Sequence, residues 1–355
     1  MKRTKSESKE MSKQVKARTR TVPEKPVKAA YEGNADKVIS TGSTLLDLAI
    51  SGGRVRGGGI PAGILVEIFG PSGTGKTVFL SEIAGNVQEQ GGEVMFHDPE
   101  ARLNKQFASL FGLKIKEGDY SNPNTVTEVF SAVRSWNPGN TKIVNGVFAD
   151  SLAALSTDME MEEEEGDKMG MRRAKEFSQE LRRTCRILAE KNLLMVCSNQ
   201  IRQDLDAIHG RRYKSPGGEA IGFYSSLRLK TQFAMREAKL HKAIKVAGKE
   251  IKKVIGVTVD VDVFKSSIWK PHGTAPVTII FDYGIDDIRQ NLQFIKTYTK
   301  ATTYVIGGDK LATGMEESIA MIEEDNLEET LQEEVIDLWE EIEKGFKSDR
   351  KPKKQ

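Results

Sequence analysis

The chain has 355 residues, and its 53 Lys and Arg nearly balance 51 Asp and Glu, for a formal net charge of +2. That length accommodates one large α/β domain or two modest ones around a buried core, and the overall charge does not announce a nucleic-acid binder. Its two cysteines, Cys185 and Cys197, fall in segments that read as buried helix and buried strand, which argues against a disulfide framework or a zinc site.

Residues 1–34 are rich in Lys, Arg, Ser, Thr and Pro and carry no sustained apolar period, which predicts a disordered basic arm. The arm lacks the apolar run of a signal peptide, and no later stretch approaches the ~20 apolar residues of a membrane span. The expectation is a soluble, cytoplasmic protein without membrane contact.

Residues 35–300 read as the core. Apolar runs at Ile64 to Phe69, Glu93 to His97, Ile143 to Asp150 and Leu193 to Ser198 predict buried strands. Between them, Thr77 to Gln90 and Arg172 to Lys191 predict helices, the second with apolar positions Phe177, Leu181, Cys185 and Leu188. Alternation of this kind predicts an α/β fold with a mostly parallel sheet flanked by helices. Residues 301–355 form a short C-terminal region, in which Met315 to Glu343 predicts an acidic amphipathic helix and Lys347 to Gln355 a basic tip.

Gly70-Pro71-Ser72-Gly73-Thr74-Gly75-Lys76-Thr77 matches G-x-x-x-x-G-K-[ST] in full, between a predicted strand and a predicted helix. Glycines let successive backbone N–H groups and the helix N-terminus surround nucleotide phosphates. Lys76 then reaches the terminal phosphates and Thr77 holds Mg²⁺, so the motif predicts ATP binding. Three further residues bear on hydrolysis. Asp150 closes a strand, where a carboxylate can join the Mg²⁺ shell or simply cap a helix. Glu100 follows a strand end and is placed either to activate a water or to be solvated. Gln200 lies just beyond Leu194 to Cys197, as a phosphate sensor or an ordinary strand-end amide.

Several segments fall in the order and spacing of one family. Ile39-Ser40-Thr41-Gly42-Ser43, Val66-Glu67-Ile68-Phe69-Gly70-Pro71, Asp98-Pro99-Glu100-Ala101-Arg102-Leu103-Asn104 and Asp150-Ser151-Leu152-Ala153-Ala154-Leu155 all contribute. So do Ser198-Asn199-Gln200-Ile201-Arg202 and the long run from Gly217 to Leu229. From about Val38 to Phe281 the chain resembles the RecA family of DNA strand-exchange recombinases, including its UvsX-type phage relatives. The resemblance implies a RecA-like P-loop ATPase core with Glu100 as the catalytic glutamate, Asp150 at the metal, Gln200 as sensor and Phe107 against adenine. It also implies that Lys265 and Lys270 reach the nucleotide of a neighbouring subunit.

Two DNA-binding loops are implied as well, at about Thr157 to Met171 and Ile201 to Ile221. The first supplies Met169, Gly170, Arg172 and Arg173, although Glu160 and Glu162 to Glu165 precede them and repel DNA. The second supplies Arg202, Arg211, Arg212, Lys214, Gly217 and Gly218, with Tyr213 available to stack on a base.

The chain departs from the family pattern in the insertion Arg54 to Gly59 and in a short C-terminus, whose acidic helix is expected to compete with DNA. The implied function is an ATP- and Mg²⁺-dependent recombinase that forms a helical homo-filament on single-stranded DNA and pairs it with double-stranded DNA. Mediator or single-strand-binding proteins are the expected accessory partners. The competing readings are a hexameric helicase-type motor and a regulatory paralogue that does not exchange strands.

Overall fold

The structure, a computed structural model, describes residues 37–157, 169–203, 213–214, 220–235, 238–348 and 350. The expected basic arm of residues 1–34 and the acidic run at Glu160 to Glu165 lie outside them.

The chain begins with β1 (Val38–Ile39), α1 (Thr44–Ser51) and β2 (Ile60–Pro61), and then enters β3 (Leu65–Gly70) and α2 (Lys76–Glu89). There follow β4 (Val94–His97), α3 (Lys105–Leu110), β5 (Tyr120–Ser121), α4 (Val126–Ser135), β6 (Asn145–Ala149), α5 (Met169–Glu190) and β7 (Leu193–Gln200). A short antiparallel pair, β8 (Arg202–Gln203) and β9 (Tyr213–Lys214), precedes α6 (Ala220–Tyr224) and β10 (Leu227–Phe233). Then come β11 (Lys239–Val246), β12 (Lys249–Ser266), β13 (Thr274–Ile280), β14 (Gly284–Ile285) and α7 (Asp287–Tyr298). The pair β15 (Val305–Ile306) and β16 (Asp309–Lys310) leads to α8 (Met315–Glu324) and α9 (Glu328–Gly345).

One sheet runs in the order β14-β13-β12-β10-β3-β7-β6-β4-β5, with β11 added on β12. From β10 to β5 every pairing is parallel, while β11 to β14 form an antiparallel extension. All six residues of β3 are buried, as a strand paired on both edges and covered on both faces requires. Its side chains alternate between two cores. Val66 and Ile68 join Leu46, Phe79 and Ile83 on the face covered by α1, α2 and the C-terminal helices. Leu65 joins Phe130, Phe177 and Leu181 beneath α4 and α5, where Phe130 and Phe177 meet edge to face at 6.3 Å.

The predicted strands and helices recur with ends moved by one to three residues. Asn145 and Gly146, which interrupt the apolar run before Asp150, prove to be strand residues with specific tasks. Asn145 is fully buried, accepts from Glu93 N at 2.9 Å and donates to Asn140 O at 2.9 Å. A Cβ on Gly146 would sit 2.4 Å from the Phe148 ring, so packing forbids a larger residue there. Cys185, expected to be buried, is half-buried, and Cys197 is buried; both are free thiols.

The C-terminal region differs more. The single expected acidic helix is broken at Asp325 to Leu327, where Asn326 takes a positive φ of 53°. Ile322, Leu331 and Val335 are fully buried in the main core, so α8 and α9 belong to the fold rather than hanging from it as a tail. The insertion Arg54 to Gly59 docks α9: Arg56 pairs with Glu333, Asp337 and Glu340 at 2.5, 2.9 and 3.1 Å. No helix among the described residues is long and apolar enough to cross a membrane.

Candidate nucleotide and DNA site

β3 delivers Gly70 to the C-terminal edge of the parallel strands, and residues 71–75 turn the chain into α2. Gly73 and Gly75 hold φ values of 79° and 77°, a region that side chains disfavour. A Cβ on Gly75 would lie 2.2 Å from Ile279 Cδ1, and one on Gly70 2.2 Å from Thr231 Oγ1. Close packing from β10 therefore demands glycine at position 70, and at position 75 the positive φ does so. Thr74 Oγ1 donates to Pro71 O at 2.9 Å and bonds Thr231 Oγ1 at 2.7 Å, which fixes the turn.

Lys76 Nζ folds onto this loop and donates to Gly70 O at 3.1 Å and Pro71 O at 2.7 Å. Burial lowers its pKa, against the pull of the Asp150 and Glu100 carboxylates. Its present acceptors are neutral carbonyls, so phosphate oxygens at the same loop would be stronger partners.

Thr77 Oγ1 donates to Asp150 Oδ2 at 2.5 Å, and Ser198 Oγ donates to Asp150 Oδ1. The parallel register of β6 and β7 sets Ala149 opposite Cys197, which brings Asp150 and Ser198 side by side. Burial raises the Asp150 pKa; the Ser198 and Thr77 hydroxyls pull it back, and the Asp98 and Glu100 charges add to the rise. A buried carboxylate, a hydroxyl and neighbouring acids at the mouth of a phosphate loop are the hard oxygen donors that Mg²⁺ takes. The residues present fit such an ion.

Glu100 lies beside this group. Ser151 Oγ donates to Glu100 Oε1 at 3.0 Å, and Arg102 pairs with Glu100 Oε2 at 2.8 Å. Asp98 instead has a structural task, accepting from Leu103 N at 2.7 Å and from Tyr120 OH at 2.8 Å. His97 is buried with Nδ1 at 2.7 Å from Ser121 Oγ, and burial pushes its pKa down to about 4, so it is neutral near pH 7.

Gln200 ends β7 opposite Gly70, half-buried at the same sheet edge. One residue earlier, Asn199 Nδ2 donates to Glu67 Oε1 at 2.9 Å, while Arg228 Nε donates to Glu67 Oε2 at 2.5 Å. Glu67 is fully buried, and the Arg228 guanidinium stacks on Phe69 at 4.5 Å and Phe264 at 5.3 Å. This ion pair ties the phosphate-loop strand to β10, and Asn199 ties it to the strand that carries Gln200.

The other expected site residues are placed as follows. Phe107 lies on α3, partly exposed, with its ring edge-to-face on Phe111 at 4.6 Å. Lys265 ends β12 and donates to Gly222 O at 3.0 Å and Phe223 O at 2.8 Å, the carbonyls near the end of α6. Lys270 stands over the Trp269 ring and pairs with Glu343 of α9 at 3.5 Å. The fold brings neither lysine to the phosphate loop of its own chain, and it gives the two separate partners.

Met169, Gly170 and Arg172 are already in the first turn of α5 rather than in a loop, and Arg173 Nη2 donates to Ala153 O at 2.6 Å. Arg202, Tyr213 and Lys214 belong to the β8–β9 pair. Arg211, Arg212, Gly217 and Gly218 lie outside the described residues.

A family model described as the RecA N-terminal domain matches residues 28–286, well over half of the chain. The chain belongs to the RecA family. It is 34% identical over 251 residues to "Protein RecA" of Thermus thermophilus, an alignment covering 71% of this chain and 69% of that one. It is 30% identical over 298 residues to "Protein RecA" of Borrelia hermsii, covering 82% and 78%. With "Protein RecA" of Delftia acidovorans it shares 29% over 296 residues, covering 82% and 75%.

Within this RecA-family core, sequence reasoning missed Ser198, Ser151 and Arg102, which hold Asp150 and Glu100 in place. Ser151 directly follows Asp150, and Arg102 and Ser198 lie two positions from Glu100 and Gln200, so nearness in sequence was the available signal. The Glu67–Arg228 pair was also missed. A charged residue in the middle of the otherwise apolar run Leu65 to Phe69 was its trace.

Proposed function

We propose that this chain is an ATP-dependent DNA recombinase that assembles on single-stranded DNA and pairs it with a homologous duplex. The observation that carries the reading is the convergence of Lys76, Thr77, Asp150, Glu100 and Gln200 on one sheet edge, within a RecA-family core. Family members at about 30–34% identity, each named "Protein RecA", support the same activity.

In this mechanism the N–H groups of the Gly70 to Thr77 loop surround the ATP phosphates, and Lys76 exchanges its two carbonyl acceptors for phosphate oxygens. Thr77 and Asp150 would hold Mg²⁺, which when bound supplies positive charge against the phosphoryl group. Glu100, oriented by Ser151, accepts a proton from the attacking water. Arg102 pairs with the same carboxylate and must release it as the water takes position. Gln200 meets the terminal phosphate and passes its presence to the segment that begins at Ile201. Arg202, Arg211, Arg212, Tyr213 and Lys214 of that segment contact DNA, with Gly217 and Gly218 at its exit, and Met169, Gly170, Arg172 and Arg173 contribute from the start of α5. Phe107 packs on adenine, and Lys265 and Lys270 reach a neighbouring subunit's nucleotide, which links ATP binding to self-assembly.

The test is ATP hydrolysis with and without single-stranded DNA, with Glu100→Gln alongside and the same samples imaged by negative-stain microscopy. The expected result is DNA-stimulated turnover on filaments, reduced about 10²-fold or more in the variant. Rings of fixed size that unwind duplexes, or nucleotide binding without any DNA response, would overturn the reading.

A further inference from the structure

Two of the chain's three tryptophans line one groove away from the phosphate loop. Trp339 and Phe346 lie seven residues apart along α9 and its cap, and Phe294 and Tyr298 lie four apart on α7, so each pair falls on one helix face. The Phe294 and Tyr298 rings are 4.8 Å apart. Trp269, in the turn after β12, closes the groove from a third side. A Cβ on Gly53 would lie 2.4 Å from the Trp269 indole, so that ring sits directly on the backbone that follows α1. The groove has a volume of about 560 Å³, which suits a ligand of a few side chains. Tyr298 and Phe346 are 58% and 76% exposed, which leaves two large rings in water on either side of it. Its rim carries both signs of charge. Lys270 and Glu343 pair there at 3.5 Å and stay 59% and 34% exposed, so each is open to a second partner.

Grooves walled by aromatic rings are the surfaces that take polyproline II segments. The chain supplies such a segment itself. Val22-Pro23-Glu24-Lys25-Pro26-Val27 sets two prolines three residues apart, the repeat of one polyproline II turn, which puts both rings on the same side. Proline also fixes φ, so less conformational entropy is lost when the segment docks. Glu24 and Lys25, between the prolines, are opposite in sign to Lys270 and Glu343. The basic tip that ends the sequence contains Pro352 alone and cannot present a matched pair of rings.

The segment lies outside the described residues, which begin at Lys37, but its point of attachment is close to the groove. A Cβ on Gly59 would lie 3.0 Å from Val38 Cβ, and Gly59 N donates to Asp47 O at 3.1 Å. Asp47 stands on α1 between Leu45 and Ala49, which form the floor of the groove. These contacts hold Val38 within about 20 Å of that floor. Residues 28–37 span up to about 33 Å when extended, so they reach it with chain to spare. A tether of that length gives an effective concentration on the order of 1 mM, at which even a weak contact is occupied. The prolines precede residues 28–286, the part shared with the RecA family, while α7 and α9 follow it, so the contact would join the two segments that flank that part.

We propose that residues 22–27 dock in the groove between α7, α9 and Trp269 of their own chain, with Pro23 and Pro26 against the aromatic rings, Glu24 toward Lys270 and Lys25 toward Glu343. The docked segment holds the basic residues 1–21 on the C-terminal side of the molecule. The inference is independent of the recombinase reading, since it involves neither nucleotide nor DNA.

The test is photocrosslinking of the full-length protein with p-benzoylphenylalanine in place of Val22, followed by peptide mapping. The expected product has the mass of a single chain, with cross-links to residues 269–276, 294–298 or 339–346. Pro23→Gly/Pro26→Gly, which removes both rings and the preset φ, lowers the yield about fivefold or more. Phe346→Ser lowers it as well, and because that ring is exposed the urea midpoint stays within about 0.5 kcal/mol of the parent's. Cross-links confined to other surfaces, or no cross-link at all, overturn the proposal. So does a product of twice the chain mass, which would make the contact one between copies, and so does a yield that ignores the prolines, which would reduce it to charge attraction alone.

Discussion

Arg228→Met tests whether the buried Glu67–Arg228 pair holds the phosphate-loop strand in its setting. Glu67 is fully buried; among the described residues its carboxylate accepts from Arg228 and Asn199, and the Arg228 side chain is 15% exposed. Removing the guanidinium leaves a buried carboxylate with one neutral amide donor, which costs about 3–5 kcal/mol. Removing both charges together, as in Glu67→Leu/Arg228→Met, leaves no uncompensated ion and costs within about 2 kcal/mol of nothing. The two substitutions thus couple strongly in a double-mutant cycle. Urea unfolding of the nucleotide-free protein, followed by far-ultraviolet circular dichroism at pH 7.5, measures all four corners of the cycle. A single-variant cost below about 1 kcal/mol, or simple additivity in the double variant, would refute the assignment, because either result means that solvent already serves the carboxylate.

Two further outcomes follow from the packing. Burial pushes the Glu82 carboxyl from 4.5 up to about 7 while it accepts from Ile285 N at 3.1 Å, so the folded chain holds a proton there that the unfolded chain releases. Stability then falls as pH rises from about 4.5 to 7, by up to about 3 kcal/mol, and Glu82→Gln removes that part of the slope in urea melts at pH 5 and pH 7.5. Leu331 is fully buried where α9 joins the main core, so Leu331→Ala lowers stability by about 2–4 kcal/mol in the same assay, whereas a loosely attached tail would show almost no change.

The parallel half of the sheet was legible because a strand covered on both faces is written as an unbroken apolar run. Leu65 to Phe69 and Leu193 to Cys197 are of that kind, and the glycine-rich loop lies between strand and helix as its motif requires. Less was legible where a residue's task depends on a neighbour distant in sequence. Arg228 lies 161 positions from Glu67, and no local period links them. The break at Asn326 left only a slight trace, a five-residue step from Ile322 to Leu327 in an otherwise helical apolar spacing. The two-stranded ribbon of residues 241–254 in β11 and β12 was missed because Ile244, Ile251 and Val254 resemble core positions, yet the strand ladder carries them into exposed positions.

The near-neutral net charge conceals opposite uses of the two signs. Carboxylates of the C-terminal helices are engaged by the chain's own donors: Glu333, Asp337 and Glu340 by Arg56, Glu316 by Arg289, Glu343 by Lys270 and Glu334 by the Gly307 amide. These are exposed contacts, each worth little. Their collective effect is to spread the acidic region over the cations of the insertion and of the turn after β12. The segment is anchored to the core through Ile322, Leu331 and Val335, so it is part of the packed fold rather than a free polyanion. Among the described residues, the lysines of β11 and of the first half of β12 have no such internal partners. The fold thus neutralises much of its acidic charge against itself and leaves this positive charge exposed. A balance of +2 summed over the chain therefore says little about any one surface, because screening limits each charge to about 8–10 Å.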